Sequence, residues 1–187
     1  MIAKTKLAFT ALILVVAITP SLPFMRFLIE SSMAFHMLFQ MPMLMLAGYL
    51  LNNKPTITQY SLASSSAQWL WIYFATTFWM LPISLDKALL YPAWDVFKIF
   101  SLLTTGAVLK LVFQAHRLLA IFFMGSLVMM LFSLGFYYQQ TDVRLCSAYL
   151  IESQQLTGTG LIIIAGLLLA FLFRQIQQGL ATTTFSK

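Results

Sequence analysis

The densest set of potential ligands in this chain is the run Ser32-Met33-Ala34-Phe35-His36-Met37-Leu38-Phe39-Gln40-Met41-Pro42-Met43-Leu44-Met45. On a helix, His36, Gln40 and Met43 follow i, i+4, i+7 and share one face, and Met37, Met41 and Met45 form a neighbouring stripe. Thioether sulfur is a soft donor suited to Cu(I), and imidazole also suits copper, so these residues could act as a copper ladder. The same residues have a plainer use. Met fills irregular gaps between helices, and a His within a span often does no more than hydrogen-bond a neighbouring helix. Pro42 removes a backbone donor, which predicts a kink and a released carbonyl near Leu38, with Gln40 or another polar neighbour as its expected partner.

A second set of chemically capable groups is ionic. Asp95 and Lys98 stand at i, i+3, close enough to pair, and pairing lowers the cost of placing a lysine inside a membrane, otherwise roughly 2.5–3.5 kcal/mol. Such a pair is either self-satisfied near the interface, or one partner faces an outer-leaflet pocket shared with Asp86 or Glu152. A single cysteine, Cys146, cannot form an internal disulfide, and it is expected as a free thiol in an outer loop.

The elements that must position these groups are apolar. A 187-residue chain that is 60% hydrophobic, 9% charged and of mean hydropathy +0.87 avoids water along most of its length. Six apolar runs, near 6–24, 30–51, 66–84, 91–112, 117–138 and 156–178, are each about as long as a helix needs to cross a bilayer. The expectation is all-α: one integral membrane domain over 1–187, a polytopic helical bundle of about six spans. The first run follows Lys4 and Lys6 like a signal peptide, but small residues at cleavage spacing are missing around Pro20-Ser21-Leu22-Pro23. It is therefore expected to stay attached as the first span.

Charge sets the orientation. With the N-terminus inside, Lys4, Lys6, Lys54, Lys110, Arg117, Arg174 and Lys187 are cytoplasmic and Arg26, Lys87, Lys98 and Arg144 lie in the outer half, a bias that predicts N-in, C-in. All five acids, Glu30, Asp86, Asp95, Asp142 and Glu152, fall in the outer half, and the positive-inside rule does not account for that. Trp69, Trp71, Trp79 and Trp94 fit interfacial belts. The net charge of +6 suits inner loops facing anionic lipid rather than nucleic acid.

No soluble domain is available for catalysis, because the longest polar connections, Asn52 to Ser66 and Tyr137 to Leu156, are each no longer than about 20 residues and too short for a core. Phosphate-loop, Ser-His-Asp and HExxH patterns are absent from the sequence, and a non-catalytic protein is expected. A transporter is disfavoured, since no inverted repeat or pair of interrupted spans is visible.

Three stretches resemble the CtaG-like membrane proteins that assist cytochrome c oxidase assembly and are associated with copper delivery. The family's His- and Met-rich second helix is similar to His36-Met37-Leu38-Phe39-Gln40-Met41. Its Trp-His-Leu-Pro and following Asp turn resemble Trp79-Met80-Leu81-Pro82 and Asp86-Lys87-Ala88-Leu89, and its Asp-Gln-Gln-Leu-Gly-Gly helix start resembles Glu152-Ser153-Gln154-Gln155-Leu156-Thr157-Gly158. The resemblance implies an inner-membrane helical bundle, a role in assembly or copper handling at the outer leaflet, and functional positions at Asp86, Glu152 and Gln155. The chain departs from the pattern at the histidines: Phe39 or Gln40, Met80 and Lys98-Ile99 stand where the family has His or Glu-His. Any metal site must then be a Cu(I) site of His36 with Met41, Met43 or Met80. Two readings follow: an assembly or copper-handling factor, or an accessory subunit of a larger membrane oxidoreductase, an oxidase or a copper monooxygenase, whose own metal site has decayed.

Overall fold

A computed structural model describes residues 2–52, 61–113 and 115–184, with side chains described over 8–52, 61–113 and 115–178. Lys54 and Lys187 lie outside the described residues, as do the side chains of Lys4 and Lys6. Among the described residues every regular element is helical: α1 (Ile2–Ile18), α2 (Phe27–Ser31), α3 (Met41–Leu51), α4 (Leu62–Met80), α5 (Pro82–Leu90), α6 (Pro92–Val112), α7 (Arg117–Gln140) and α8 (Ile151–Thr184). A 3-10 turn, Thr19–Ser21, ends α1, and a π-helical turn, Phe35–Gln40, leads directly into α3.

Prolines cut the chain where apolar pattern alone does not. The expected third span, 66–84, is interrupted at Leu81, which is extended (φ −77°, ψ 135°) because the ring of Pro82 disfavours a helical residue before it. Pro82 then opens α5 and Pro92 opens α6, each at a position where a missing N–H costs nothing. The expected second span, 30–51, is likewise divided at Ser32. The expected sixth span begins at Ile151 rather than 156, since Glu152 in the first turn suits the positive end of the helix dipole. Two helices, Arg117–Gln140 and Ile151–Gln178, are long and apolar enough to cross a membrane, and Ala8–Ser21 and Phe35–Leu51 form shorter apolar helices.

α3 packs against α1 and α6, α6 against α4, α4 against α7, and α7 against α8, which returns to the π turn before α3. Two helix pairs come together through small residues. A Cβ on Gly48 would overlap the Leu103 carbonyl, and one on Gly106 would overlap that of Met45, so α3 and α6 meet backbone to backbone. In the α7–α8 pair, a Cβ on Gly158 would stand 2.6 Å from the Gly135 oxygen. The core enclosed between these pairs holds Met33, Met37, Met41, Leu44, Trp79, Leu102, Tyr138 and Leu161.

One end of the bundle carries a cap made of α2, α5 and the 141–150 connection. Arg26 pairs with Glu30 at 3.1 Å and donates to the Leu89 carbonyl and, at 3.2 Å, to that of Ala88, closing the C-terminal end of α5. Asp86 accepts from the Ser147 backbone at 2.9 Å and its hydroxyl at 3.1 Å. The five acids belong to this end of the bundle. Asp95 and Glu152 sit in the first turns of α6 and α8, where helix dipoles favour carboxylates, and Glu30 and Asp86 lie within the cap itself.

Candidate functional site

The π turn places His36 and Gln40 on the inner face of the bundle, both with no exposed surface. Its widened register is marked by the Met41 N–H, which bonds the His36 carbonyl five residues back. The turn falls immediately before Pro42, whose missing donor would otherwise break the ladder of a regular helix. The Gln40 side chain does not serve the Leu38 carbonyl. Its Nε2 donates to the Ala17 carbonyl at 3.3 Å and to Ser21 Oγ at 2.9 Å, tying the end of α1 to the π turn.

α6 supplies the other half of the cluster. Asp95 and Lys98 form the expected i, i+3 pair, with Nζ to Oδ1 at 2.6 Å, and both are buried. Lys98 Nζ also lies 2.8 Å from His36 Nε2 and 3.1 Å from Gln40 Oε1. The ammonium carries three hydrogens and no acceptor; it has His36 Nε2 and Gln40 Oε1 as hydrogen-bond partners, while Asp95 Oδ1 stands against it as an ion pair without hydrogen-bond geometry. The fourth participant arrives from the cap: the Tyr149 hydroxyl is 2.8 Å from His36 Nδ1 and 2.8 Å from the Ile29 carbonyl.

These contacts fix the protons. A carbonyl can only accept, so the Tyr149 O–H donates to Ile29 and its oxygen receives the Nδ1–H of His36. His36 Nε2 is then the acceptor of a Lys98 hydrogen, and the ring is the neutral Nδ1–H tautomer. The Asp95 carboxylate offsets the charge of Lys98, so the buried cluster as a whole is neutral. One partner left alone at this depth would be strongly unfavourable. Chemically, both ring nitrogens of His36 are committed inside the protein, and Lys98 is held between His36, Gln40 and the Asp95 carboxylate.

The metal-site expectation meets this geometry directly. Met41 and Met80 are buried, and with Met43 they border the same core as His36. Yet both imidazole nitrogens are engaged, and the neighbour of Nε2 is an ammonium that would repel a cation. The donor set as arranged does not fit a copper ion. No group of three His, Cys, Asp or Glu side chains is placed to hold a metal among the described residues.

The acidic positions separate. Lys98 pairs with Asp95 and turns to His36 and Gln40, and Asp86 is bonded to Ser147, so of the two readings of the pair the structure has the ion pair and not a pocket shared with Asp86 or Glu152. Glu152 and Gln155 are exposed. The buried member of that stretch is Gln154, which accepts from the Leu145 N–H at 3.0 Å and directs its amide nitrogen at the Tyr138 and Thr141 carbonyls, both 3.4 Å away. It clamps the loop that delivers Tyr149. Gln154 lies in the quoted stretch from Glu152 to Gly158 without being singled out there, and for Tyr149 the clustering of polar residues around Ser147 to Gln155 is the only hint.

Around Lys98, Trp79 donates to Ser101 Oγ at 2.7 Å, and Ser101 in turn donates to the Lys98 carbonyl at 3.0 Å. The Tyr138 hydroxyl satisfies the Met80 carbonyl at 2.6 Å, an acceptor left over where α4 stops before Pro82. Cys146 is free and buried, as a thiol donor 3.5 Å from the Pro82 carbonyl. Burial first, and then the nearby Asp86 charge, push it up to about 12. Comparison with family models, with characterised proteins and with solved structures gives no match.

Proposed function

We propose that the chain is a non-catalytic protein of the bacterial cytoplasmic membrane, a six-span bundle with both termini inside, that serves as an accessory subunit of a larger membrane oxidoreductase. Its resemblance to CtaG-like assembly proteins supports the helical scaffold and the outer-face location. The observation that carries the accessory reading is the Lys98 ammonium on His36 Nε2, in the place where a copper-handling relative would need a free imidazole. Large apolar side chains stand exposed along the bundle, among them Phe100, Phe122, Met129 and Leu167, and such a surface suits lipid and partner helices. A copper-handling assembly factor is the second reading, favoured by the burial of Met33, Met37, Met41 and Met80 in one core with the π turn.

Purification in mild detergent, followed by mass spectrometry and metal analysis, separates the two. Stable co-purification with an oxidoreductase, without copper on this chain, is expected. Transient association together with stoichiometric copper would replace the accessory reading by the assembly reading. Reporter fusions after Lys54 and Lys187 should both read cytoplasmic; an external signal at either would overturn the six-span orientation.

A further inference from the structure

The charge asymmetry leaves one end of the bundle without an Asp or Glu side chain among the described residues. All five acids belong to the cap end, and among the described residues the ion pairs are Arg26–Glu30 and Asp95–Lys98, both at that end. Arg117 opens α7 at the opposite end. A helix of 24 residues is about 36 Å long, several times the screening length at physiological salt, so no Asp or Glu among the described residues neutralises Arg117.

Arg117 also borders a groove. Between α7 and the far part of α8 lies a cavity of about 340 Å³, lined by Arg117 and Gln175 at its polar edge and by Ile121, Met124, Phe171 and Leu172 along its apolar length. Arg117 Nη2 donates to the carbonyls of Gln175 and, at 3.3 Å, Ile176, which anchors the guanidinium across the mouth. Among the described residues, Nε and Nη1 of Arg117 make no hydrogen bond beside those of Nη2. Arg174, one residue before Gln175, is exposed on the same part of α8.

An anchored, un-neutralised guanidinium at one end of an apolar groove matches an amphiphile with an anionic head and a hydrocarbon tail. From this we infer that the α7–α8 groove is a binding site for an anionic phospholipid of the cytoplasmic leaflet, the head-group phosphate on Arg117 and one acyl chain along Ile121, Met124 and Phe171. The shape and charge of the groove carry the lipid chemistry. The choice of leaflet rests on the six-span orientation proposed above. An occupant of this kind also gives Arg117 a charge partner.

The test is native mass spectrometry of the full chain in detergent, titrated with phosphatidylglycerol or with phosphatidylcholine of the same acyl chains. The unmodified chain should retain one phosphatidylglycerol with a preference over phosphatidylcholine of about fivefold, the worth of one basic residue at an anionic surface. Arg117→Gln should remove the preference and Arg117→Lys should keep part of it. Ile121→Trp, which fills the groove without changing charge, should lower retention of both lipids. Equal retention of the two lipids by the unmodified chain, or a preference that survives Arg117→Gln, would overturn the site. Displacement by glycerophosphate at the same concentration would overturn it too, since the groove would then read phosphate rather than lipid. Reporter fusions on the same variants isolate the leaflet assignment: an external reading for the Arg117 end with lipid preference intact sinks the orientation and leaves the site.

Discussion

Lys98 Nζ lies 2.8 Å from His36 Nε2, and that contact takes up the lone pair through which an imidazole would bind metal. The two residues come from different helices, α6 and the π turn before α3. The parallel crossing of those helices at Gly48 and Gly106 sets how far apart they stand. The histidine within the bundle thus faces an internal cation.

The first prediction concerns the Asp95–Lys98 pair. Lys98→Met leaves a buried carboxylate without its counter-ion, and breaking such a pair costs about 3–5 kcal/mol. Thermal unfolding in detergent should show a large loss for Lys98→Met and much of it regained in Lys98→Met with Asp95→Leu. If the second substitution instead adds a further full loss, the two side chains are not coupled and the cluster is not held as described.

Glycine contact makes a second, sharper test. At Gly106 an added methyl meets the backbone of Met45, which cannot turn aside like a side chain, so α3 and α6 must separate. Gly166 has nothing within 4 Å of the same methyl position. Gly106→Ala should lower the unfolding temperature, whereas Gly166→Ala should leave it unchanged or raise it, by the helix preference of Ala of about 1 kcal/mol. Equal behaviour of the two would contradict the close crossing.

A third prediction follows from Cys146. Its thiol is raised by burial and by Asp86 to about 12 from an ordinary 9.0, so the folded protein keeps the proton across a range in which the unfolded chain loses it. Between those values the folded state binds more protons than the unfolded state, and stability falls as pH rises above about 9. At pH 8 the folded chain holds almost no thiolate, and maleimide labelling should be much slower than in the denatured chain. Rapid labelling of the folded protein at that pH would place Cys146 in solvent.

Much of the architecture is legible in the residues. Apolar runs mark the long helices, and Pro42, Pro82 and Pro92 mark three of their interruptions, although the run 66–84 reads as one span until the effect of Pro82 on Leu81 is weighed. The i, i+3 spacing of Asp95 and Lys98 foretells their pairing because both lie on one helix. What Lys98 does next is invisible at that level. Its contacts with His36 and Gln40 lie 62 and 58 residues away, and that of His36 with Tyr149 lies 113 residues away. Spacing along one helix cannot specify such distances; the register of α3 against α6, and the loop clamped by Gln154, decide them. Glu152 and Gln155 draw attention by their types, yet the helix turns them to the surface and turns Gln154 inward.

Nitrogen-15 NMR of the histidine-labelled chain in detergent reads whether His36 is a neutral ring bound on both sides by the protein. His36 and His116 are the two histidines of the sequence, so His36→Gln assigns the signals. The His36 ring should carry its proton on Nδ1 and accept at Nε2, unchanged when Cu(I) is added. A proton on Nε2, or a His36 signal that shifts or disappears with stoichiometric Cu(I), would contradict it.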